Sequence, residues 1–291
     1  MNTTTKNFLL TPFNILYNIS PKVSLQILYK LKTGEKLNLK NPKNYNEKLQ
    51  WIKLFDKNPL MPECSDKYHV RQYVEKKGLG NILNELYWQG DDPEKIPFDK
   101  LPEKFVIKVT HGSTFNIICE SKKDLNISHT KKLLRKWLKE DFIKCYGEWF
   151  YGVMKPRIIV EKYLLDDKTN KLFDYKFFCF NGEPKLVYVD TWKDNKHTIN
   201  AYDMDFNIIK GVKLGYDNDL ETPISKPANM EKMINYAKVL SQDFNHVRVD
   251  FYEVNNEVIF GELTFTKSAG YGKIEPESFN LKMGSWLKID N

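Results

Sequence analysis

Charged and apolar residues alternate in two neighbouring stretches near the end of the sequence. One stretch contains Arg248 and Asp250, and the other contains Glu262 and Thr264. Alternation with a period of two is typical of β-strands, whose successive side chains point to opposite faces of a sheet. Two asparagines between the stretches favour a turn, so we predict a β-hairpin.

The length of the turn decides whether the two acidic residues face each other. A two-residue turn pairs Val249 with Glu262 and puts Asp250 on the opposite face from Glu262. A three-residue loop or a β-bulge shifts the pairing by one residue and sets the two carboxylates opposite each other. We predict the shifted register, because it gathers the charged side chains on one face and leaves the other face apolar.

Two carboxylates opposed across paired strands have Cβ atoms about 5 Å apart. Their repulsion favours a bound proton or a cation between them. A magnesium ion prefers such oxygen ligands and also holds nucleotide phosphates. The alternative is a solvent-facing hairpin with surface ion pairs, which contribute little to stability. The hairpin alone is consistent with both interpretations.

The composition is that of a globular chain, with 41% hydrophobic and 14% aromatic residues among 291. Its cysteines show no metal-ligand spacing, so we expect reduced thiols in a cytoplasmic protein; they are Cys64, Cys119, Cys145 and Cys179. No segment has the pattern of a signal peptide or the length of a membrane span. Residues 1–40 contain six lysines and one glutamate, a net charge of +5. This basic segment could bind an anionic membrane surface or an acidic glycan. The simpler interpretation is that its lysines are exposed to solvent.

Helical periodicity dominates the first part of the chain, and strand alternation follows a connector at 90–103. We predict helices within 8–39, broken at Pro21, and at 45–55, 65–78, 128–140 and 229–244. We predict further strands at 105–110, 116–119, 156–163, 173–180 and 185–189. The basic face of helix 128–140 lacks interleaved aromatic residues, so we expect no nucleic-acid binding.

Three shorter motifs carry possible chemistry. Lys108 lies on a strand that leads into the small-residue loop 111–114, and such loops can hold phosphates through backbone N–H groups. Asp203 and Asp205 have the spacing with which many glycosyltransferases hold a metal and a sugar nucleotide, although such pairs also arise in turns. Segment 268–272 is rich in small residues, so we predict a flexible loop that can close over a substrate. By default, Asp66, Lys67 and Arg71 are interpreted as solvent-exposed helix charges.

In this order, the motifs resemble those of the ATP-grasp ligases. The resemblance is to the TupA-like group in particular, which is associated with teichuronopeptide and other surface-polysaccharide synthesis. It covers residues 44–272 and rests on segments 45–51, 101–108, 111–113, 161–164, 174–177, 248–251 and 261–265, with Asp66-Lys67 and Arg71. Each segment by itself is only weakly characteristic of the family. The occurrence of all of them in the expected order is much harder to obtain by chance.

The resemblance implies an α+β chain with an ATP-grasp-like two-lobed fold of antiparallel sheets and flanking helices. A mainly helical N-terminal region precedes the two lobes. The implied boundaries are 1–100 for the N-terminal region, 101–163 for the first lobe, and 164–291 for the second lobe with the metal site.

The resemblance also assigns roles to individual residues. It implies ATP-binding roles for Lys108, His111, Gly112, Ser113, Thr114, Glu161, Lys162, Tyr163, Asp174 and Lys176. Within that set, Lys108 reaches the phosphates, residues 161–163 form the hinge at the adenine, and Lys176 stands where related ligases often carry arginine. The implied magnesium ligands are Asp250, Glu262 and Thr264, the last at a position where many relatives have asparagine. Arg248 resembles the arginine that stabilises the acyl phosphate, and it forms the implied catalytic set with Lys108 and Lys176.

The implied activity is an ATP- and magnesium-dependent carboxylate-amine ligase that works through an acyl phosphate. Its expected partners are ATP, a carboxylate-bearing sugar or glycan, and an amine or amino acid. We expect it in the cytoplasm, with contact to the inner face of the membrane or to a lipid-linked glycan left open. The alternatives are a metal-dependent glycosyltransferase using Asp203 and Asp205, and a non-catalytic module that binds an acidic glycan or a membrane through its lysines.

Overall fold

The computed structural model describes residues 3–140, 142–193 and 196–289. The first two residues of the predicted N-terminal region therefore lie outside the described residues. None of the helices in the described ranges combines the length and the apolar character that crossing a membrane requires. All four cysteines are buried, and none of them forms a disulfide.

The chain begins with three helices at the predicted positions: α1 (Thr3–Ile19), α2 (Pro21–Thr33) and α3 (Tyr45–Phe55). Proline suits the first turn of α2, where its missing N–H has no intrahelical partner in any case. A capping box fixes the start of α3, because the Asn44 side chain accepts from the Glu47 N–H and the Glu47 carboxylate accepts from the Asn44 N–H.

The single helix predicted at 65–78 is wrong, because the segment forms α4 (Met61–Ser65) and α5 (Val70–Lys76). Asp66 interrupts the helix. Its Oδ1 accepts from the backbone N–H groups of Tyr68 and His69, at 2.9 and 3.0 Å, a local bond that competes with helical pairing.

The first sheet is antiparallel and has the strand order β1-β4-β2-β3. Its strands are β1 (Leu86–Gly90), β2 (Phe105–Val109), β3 (Asn116–Cys119) and β4 (Ile158–Lys162). Helix α6 (Ile127–Trp137) adds Leu134 to the same core as the apolar side chains of β2 and β4. Strand β1 was not predicted.

The second sheet is also antiparallel, with the order β7-β6-β5-β8-β9. Its strands are β5 (Asp174–Phe180), β6 (Glu183–Lys193), β7 (Lys196–Tyr202), β8 (His246–Val254) and β9 (Glu257–Thr264). Helix α7 (Met230–Ser241) shares a core with this sheet, and α8 (Glu277–Trp286) packs on α3. The predicted α+β class with two antiparallel sheets is confirmed, but β7 and α8 were not predicted.

Candidate functional site

The hairpin of β8 and β9 adopts the predicted shifted register where its charged residues lie. Arg248 pairs with Thr264. Asp250, two residues further along β8, is therefore on the same face as Glu262, which lies two residues back along β9.

A bulge, not a longer loop, produces this register. The turn has two residues, Asn255 and Asn256, with φ values of 50° and 66°. The pairing then shifts by one residue between Val249 and Phe251. At the bulge, a Cβ atom on Gly261 would lie 3.0 Å from the Asp250 carbonyl oxygen, so glycine permits this close backbone approach.

Neighbouring strands extend the polar face. Lys176 of β5 pairs with Asp250 and also with Tyr188 of β6. By strand parity, Asp174 and Asp190 lie on this face as well. One surface of the sheet thus collects charged groups from β5, β6, β8 and β9, while the other surface packs against α7.

Arg248 is the centre of this polar face. Its Nε and Nη2 donate to Asp250 Oδ1 and Oδ2 at 2.7 and 2.6 Å, and Nη2 also donates to Glu262 Oε1 at 3.0 Å. Burial raises the pKa of Asp250, yet both of its oxygens accept from a guanidinium that keeps its proton, which holds the carboxylate in its charged form. Burial also disfavours charge on Glu262, but Lys67 and Arg248 lower its pKa.

Lys176 joins two further carboxylates. Its Nζ contacts Asp174 Oδ2 and lies 2.8 Å from Asp190 Oδ2. Burial alone would lower the pKa of Lys176, but Asp174, Asp250 and Asp190 raise it. Burial raises the pKa of Asp174, whose Oδ1 is buried without a hydrogen-bond partner among the described residues. That oxygen is an unsatisfied acceptor beside the charged groups of the polar face.

Lys108 reaches the site from the first sheet. Its Nζ donates to Glu161 Oε2 at 2.8 Å, and Arg71 Nη1 donates to Glu161 Oε1 at 3.4 Å. The Glu161 side chain therefore pairs with two basic side chains, those of Lys108 and Arg71. Both main-chain groups of Lys162 are engaged internally, since its N–H donates to Glu85 O and its carbonyl accepts from the Asn84 amide.

The loop predicted to bind phosphates is held from two sides. Lys67 Nζ donates to Gly112 O at 2.7 Å and lies 3.8 Å from Glu262 Oε2, so it joins the loop to the hairpin. The His111 ring is buried, and its Nε2 donates to Glu140 O at 2.8 Å. His111 thus anchors the loop, while Ser113 and Thr114 are exposed.

The interpretation of Asp66, Lys67 and Arg71 as solvent charges is wrong. Asp66 is buried and accepts from two N–H groups of the turn before α5, while the other two side chains reach Glu262 and Glu161. The error came from placing the helix start at Ser65. An aspartate that bonds the backbone two and three residues ahead favours a turn, and this signal would have moved Asp66 and Lys67 out of the helix.

Two adjoining cavities contain most of the predicted residues. A cavity of about 220 Å³ is lined by Lys108, Gly112, Ser113, Thr114, Glu161, Asp174, Lys176, Asp250 and Glu262, together with Lys67. A second cavity of about 510 Å³ shares Lys67, Gly112, Ser113 and Glu262 with the first, and adds His111, Arg248 and Thr264. The predicted hinge residues Lys162 and Tyr163 line neither of these two cavities.

The second cavity also contains residues that the sequence did not single out. Lys267 lines it and donates to Leu214 O at 2.6 Å; burial, and then Arg248, lower its pKa to about 8. The wall beside it is segment 268–272, predicted to be mobile. Fully buried Lys53 anchors this wall by donating to Tyr146 O and Ala269 O at 2.6 and 2.8 Å. Ser268 and Ala269 hold left-handed φ values of 50° and 52° there.

Asp203 and Asp205 lie in the turn after β7, at the sheet edge opposite β9. Asp203 Oδ1 accepts from the N–H groups of Asp205 and Asn207 at 3.0 and 2.8 Å. These bonds give Asp203 a structural role in its own turn.

The donors around Asp250 and Glu262 fit a hard divalent cation, although no group of three or more His, Cys, Asp or Glu residues in the described ranges has metal-site geometry by itself. Carboxylate oxygens are the ligands that magnesium prefers. Asp174 Oδ1 lacks a partner among the described residues, and Glu262 is about one-third exposed to the cavities. Thr264 Oγ1 donates to Glu262 Oε1 at 2.9 Å, so it orients this carboxylate.

A family model described as "TupA-like ATPgrasp" matches residues 47–288. No curated protein matches the chain. The solved structures that are similar include D-alanine–D-alanine ligase from Bacillus anthracis complexed with ATP (14% identity, 70% of this chain and 55% of that chain, TM-score 0.43). A second is D-alanine–D-alanine ligase from Helicobacter pylori (13% identity, 79% of this chain and 60% of that chain, TM-score 0.44). A third is the ATP-grasp ligase PsnB with a precursor variant, Mg and ADP (11% identity, 82% of this chain and 65% of that chain, TM-score 0.45). The chain spans about half to two thirds of the length of these chains.

Proposed function

The chain belongs to the TupA-like ATP-grasp family, and from this premise we propose that it is an ATP- and magnesium-dependent carboxylate-amine ligase. The observation that carries the proposal is the meeting of Lys108, Lys176, Asp250 and Glu262, from both sheets, on one cavity. Phosphoryl transfer needs positioning and charge neutralisation more than a side-chain nucleophile, and this cavity supplies both.

In this proposal the smaller cavity takes the phosphates of ATP. Lys108 and Lys176 supply positive charge, and residues 111–114 fold over the oxygens with their backbone N–H groups. Asp174 contacts the ribose or a phosphate-bound cation through its unpartnered oxygen. The adenine contact proposed for 161–163 has to use main-chain groups other than those of Lys162, which are both paired within the fold. The division into residues 1–100, 101–163 and 164–291 is part of the same proposal, with β1 contributed to the first sheet from the N-terminal region.

Asp250 and Glu262 would hold magnesium, with Thr264 orienting Glu262. Bound there, the ion neutralises phosphate charge during transfer. Arg248 donates to both oxygens of Asp250, so a cation there would compete with the guanidinium, and we propose that Arg248 releases at least one of them. The released guanidinium can then face the second cavity, which Arg248 already lines.

The proposed reaction has two steps. A carboxylate oxygen of the acid substrate attacks the γ-phosphorus of ATP, the bond to the bridging oxygen breaks, and ADP leaves. The amine nitrogen then attacks the acyl phosphate carbon, phosphate leaves, and the nitrogen loses a proton to solvent. Arg248 stabilises the developing negative charge in both steps, because a guanidinium binds planar oxyanions through paired hydrogen bonds.

The larger cavity suits an acid carried on a ring. It is lined by Lys32, Lys67, Arg248 and Lys267 against two acids, Glu148 and Glu262. Four basic groups against two acids make the cavity cationic, and burial raises the pKa of Glu148 while Lys53 lowers it. Its tyrosines supply flat apolar surface for a sugar ring; they are Tyr146, Tyr151 and Tyr271. These features support a uronic acid or similar carboxylate of surface-polysaccharide synthesis as substrate, joined to an amine or amino acid. We place this activity in the cytoplasm, where ATP is available and the free cysteines stay reduced.

The test combines two measurements on the purified protein. Melting temperatures are recorded with ATP, GTP and sugar nucleotides, each with and without magnesium, and release of ADP and phosphate is measured with uronic acids and amino acids. We expect stabilisation by ATP only with magnesium, and ADP release that depends on both substrates. Stabilisation by a sugar nucleotide instead, with release of a nucleoside diphosphate from it, would contradict the proposal.

A further inference from the structure

Helices α1 and α2 carry five large apolar side chains that the rest of the described chain leaves uncovered. They recur at every fourth position, with exposed fractions of 57% for Ile15, 77% for Ile19, 42% for Val23, 41% for Ile27 and 67% for Leu31. Scattered exposed apolar residues are common on proteins, but a group on adjacent helices marks an interaction surface.

These helices are firmly held to the body on their other side, so the exposed group is not the result of a detached arm. Leu25 and Tyr29 of α2 are buried in a small core. Asn14 of α1 accepts a hydrogen bond from the N–H of Cys145 at 2.9 Å, and Ser24 donates to Phe13 O at 3.2 Å. The outer face is therefore presented by a fixed scaffold.

The charges on the same segment favour one kind of partner. Residues 1–34 contain four lysines and no acidic residue, since Glu35 is the first acid in the chain. Lys22 and Lys30 are exposed on α2 itself. Amphipathic helices with lysines and uncovered Ile or Leu side chains lie in the boundary of anionic bilayers, where both the apolar and the electrostatic contributions are favourable.

We propose that α1 and α2 form a membrane-docking surface that binds an anionic lipid bilayer. Ile15, Ile19, Val23, Ile27 and Leu31 enter the interface, and Lys22 and Lys30 pair with lipid headgroups. The protein then sits on the membrane without crossing it.

The surface is continuous with the larger cavity through consecutive residues of α2. Leu31 belongs to the docking surface, whereas Lys32 lies 4.9 Å from the ring centre of Tyr146 and 5.5 Å from that of Tyr271, and lines the cavity. Docking would therefore bring the Lys32 side of the cavity close to the membrane. If the proposed function holds, an acid substrate attached to a membrane lipid can reach Arg248 without leaving the bilayer.

The full chain is tested by co-sedimentation with phosphatidylcholine vesicles, either pure or with about one third phosphatidylglycerol. We expect binding to the anionic vesicles to be at least about tenfold stronger, and to weaken as salt is raised. The double variant Ile19→Glu/Leu31→Glu should bind at least about tenfold more weakly. Ile118→Glu is the matched control, since Ile118 is as exposed as Ile15, at 57%, but lies on β3, and it should bind like the natural protein.

A second pair of substitutions tests the electrostatic part separately. Lys22→Gln/Lys30→Gln should reduce the preference for anionic over neutral vesicles and leave the melting temperature unchanged. The proposal is overturned if the natural protein does not bind either vesicle, or if Ile19→Glu/Leu31→Glu binds as well as Ile118→Glu. It is also overturned if sedimentation velocity shows a dimer that the double variant dissociates, because the surface then covers a second copy.

Failure of this inference is distinguishable from failure of the proposed function. Stabilisation by magnesium and ATP depends on the cavities and should be equal in the natural protein and in every docking variant. If magnesium and ATP do not stabilise the natural protein, the ligase proposal is contradicted. The interpretation of the vesicle binding is not affected by that result.

Discussion

Replacing Asp250 by asparagine should destabilise the protein, because the buried guanidinium of Arg248 loses its main anionic partner. Asp250 is 2% exposed, and its two oxygens accept from Arg248 at 2.7 and 2.6 Å. Removing one partner of a buried ion pair costs about 3–5 kcal/mol. Arg248 keeps Glu262 at 3.0 Å, and asparagine keeps one carbonyl acceptor, so we expect a loss of about 2–3 kcal/mol.

Urea unfolding at neutral pH measures this loss as a change in the free energy of unfolding. Asp217→Asn is a suitable control, because Asp217 pairs with Lys213 and Lys196 at the surface and should change stability little. An Asp250→Asn variant as stable as Asp217→Asn would show that the buried pair does not support the sheet.

A double-mutant cycle isolates the interaction itself. Arg248→Met removes the guanidinium and leaves three carboxylates, those of Asp250, Asp174 and Glu262, close together. Adding Asp250→Asn then relieves part of that repulsion, so we expect a coupling energy of about 2 kcal/mol. Additive effects, within about 0.5 kcal/mol, would refute the assignment of Arg248 and Asp250 as a coupled pair.

Three further predictions concern other parts of the molecule. Burial lowers the pKa of His246 from 6.5 to about 3, so between these pH values the unfolded chain binds a proton that the folded chain does not. The free energy of unfolding should therefore fall as pH drops from about 6.5 towards 3. His246→Gln should make this dependence weaker in acid titrations followed by circular dichroism. Lys53→Met removes the hydrogen bonds that anchor the wall of the larger cavity, so it should raise KM for the acid substrate about tenfold or more with a smaller change in kcat. Lys48→Met is the control, because it removes a hydrogen bond from α3 to Leu287 O instead. It should leave KM unchanged in the same ADP-release assay. Asp203→Ala should retain activity and lose only local stability, and an inactive Asp203→Ala protein with normal melting would contradict the structural role of that turn.

The sequence predicted the charged face of the second sheet because strand alternation depends only on local parity. Arg248, Asp250, Glu262 and Thr264 share one face in any register that buries the apolar residues between them, so the pattern alone was sufficient. Where the shift occurs was not predictable, because a two-residue turn with a bulge and a three-residue loop give the same pairing near Arg248.

Other parts depended on contacts that a linear pattern does not contain. Lys67 lies in the turn between α4 and α5 and Arg71 lies in α5, and they join the candidate site only through tertiary contacts with Glu262 and Glu161. Helix α8 contains Gly284, an unfavourable helix residue. A Cβ atom there would lie 2.0 Å from Lys43 O, so the glycine reflects close packing on the start of α3 and not a helix end.

We propose that Asp250 and Glu262 hold a divalent cation beside the nucleotide. A crystal grown with manganese and ADP is the decisive experiment, because the anomalous signal of manganese locates the ion independently of the protein. We expect an anomalous peak within coordination distance of both carboxylates, with Arg248 displaced from at least one Asp250 oxygen. A peak in the turn of Asp203 and Asp205, or bound ADP with no peak at the hairpin, would contradict it.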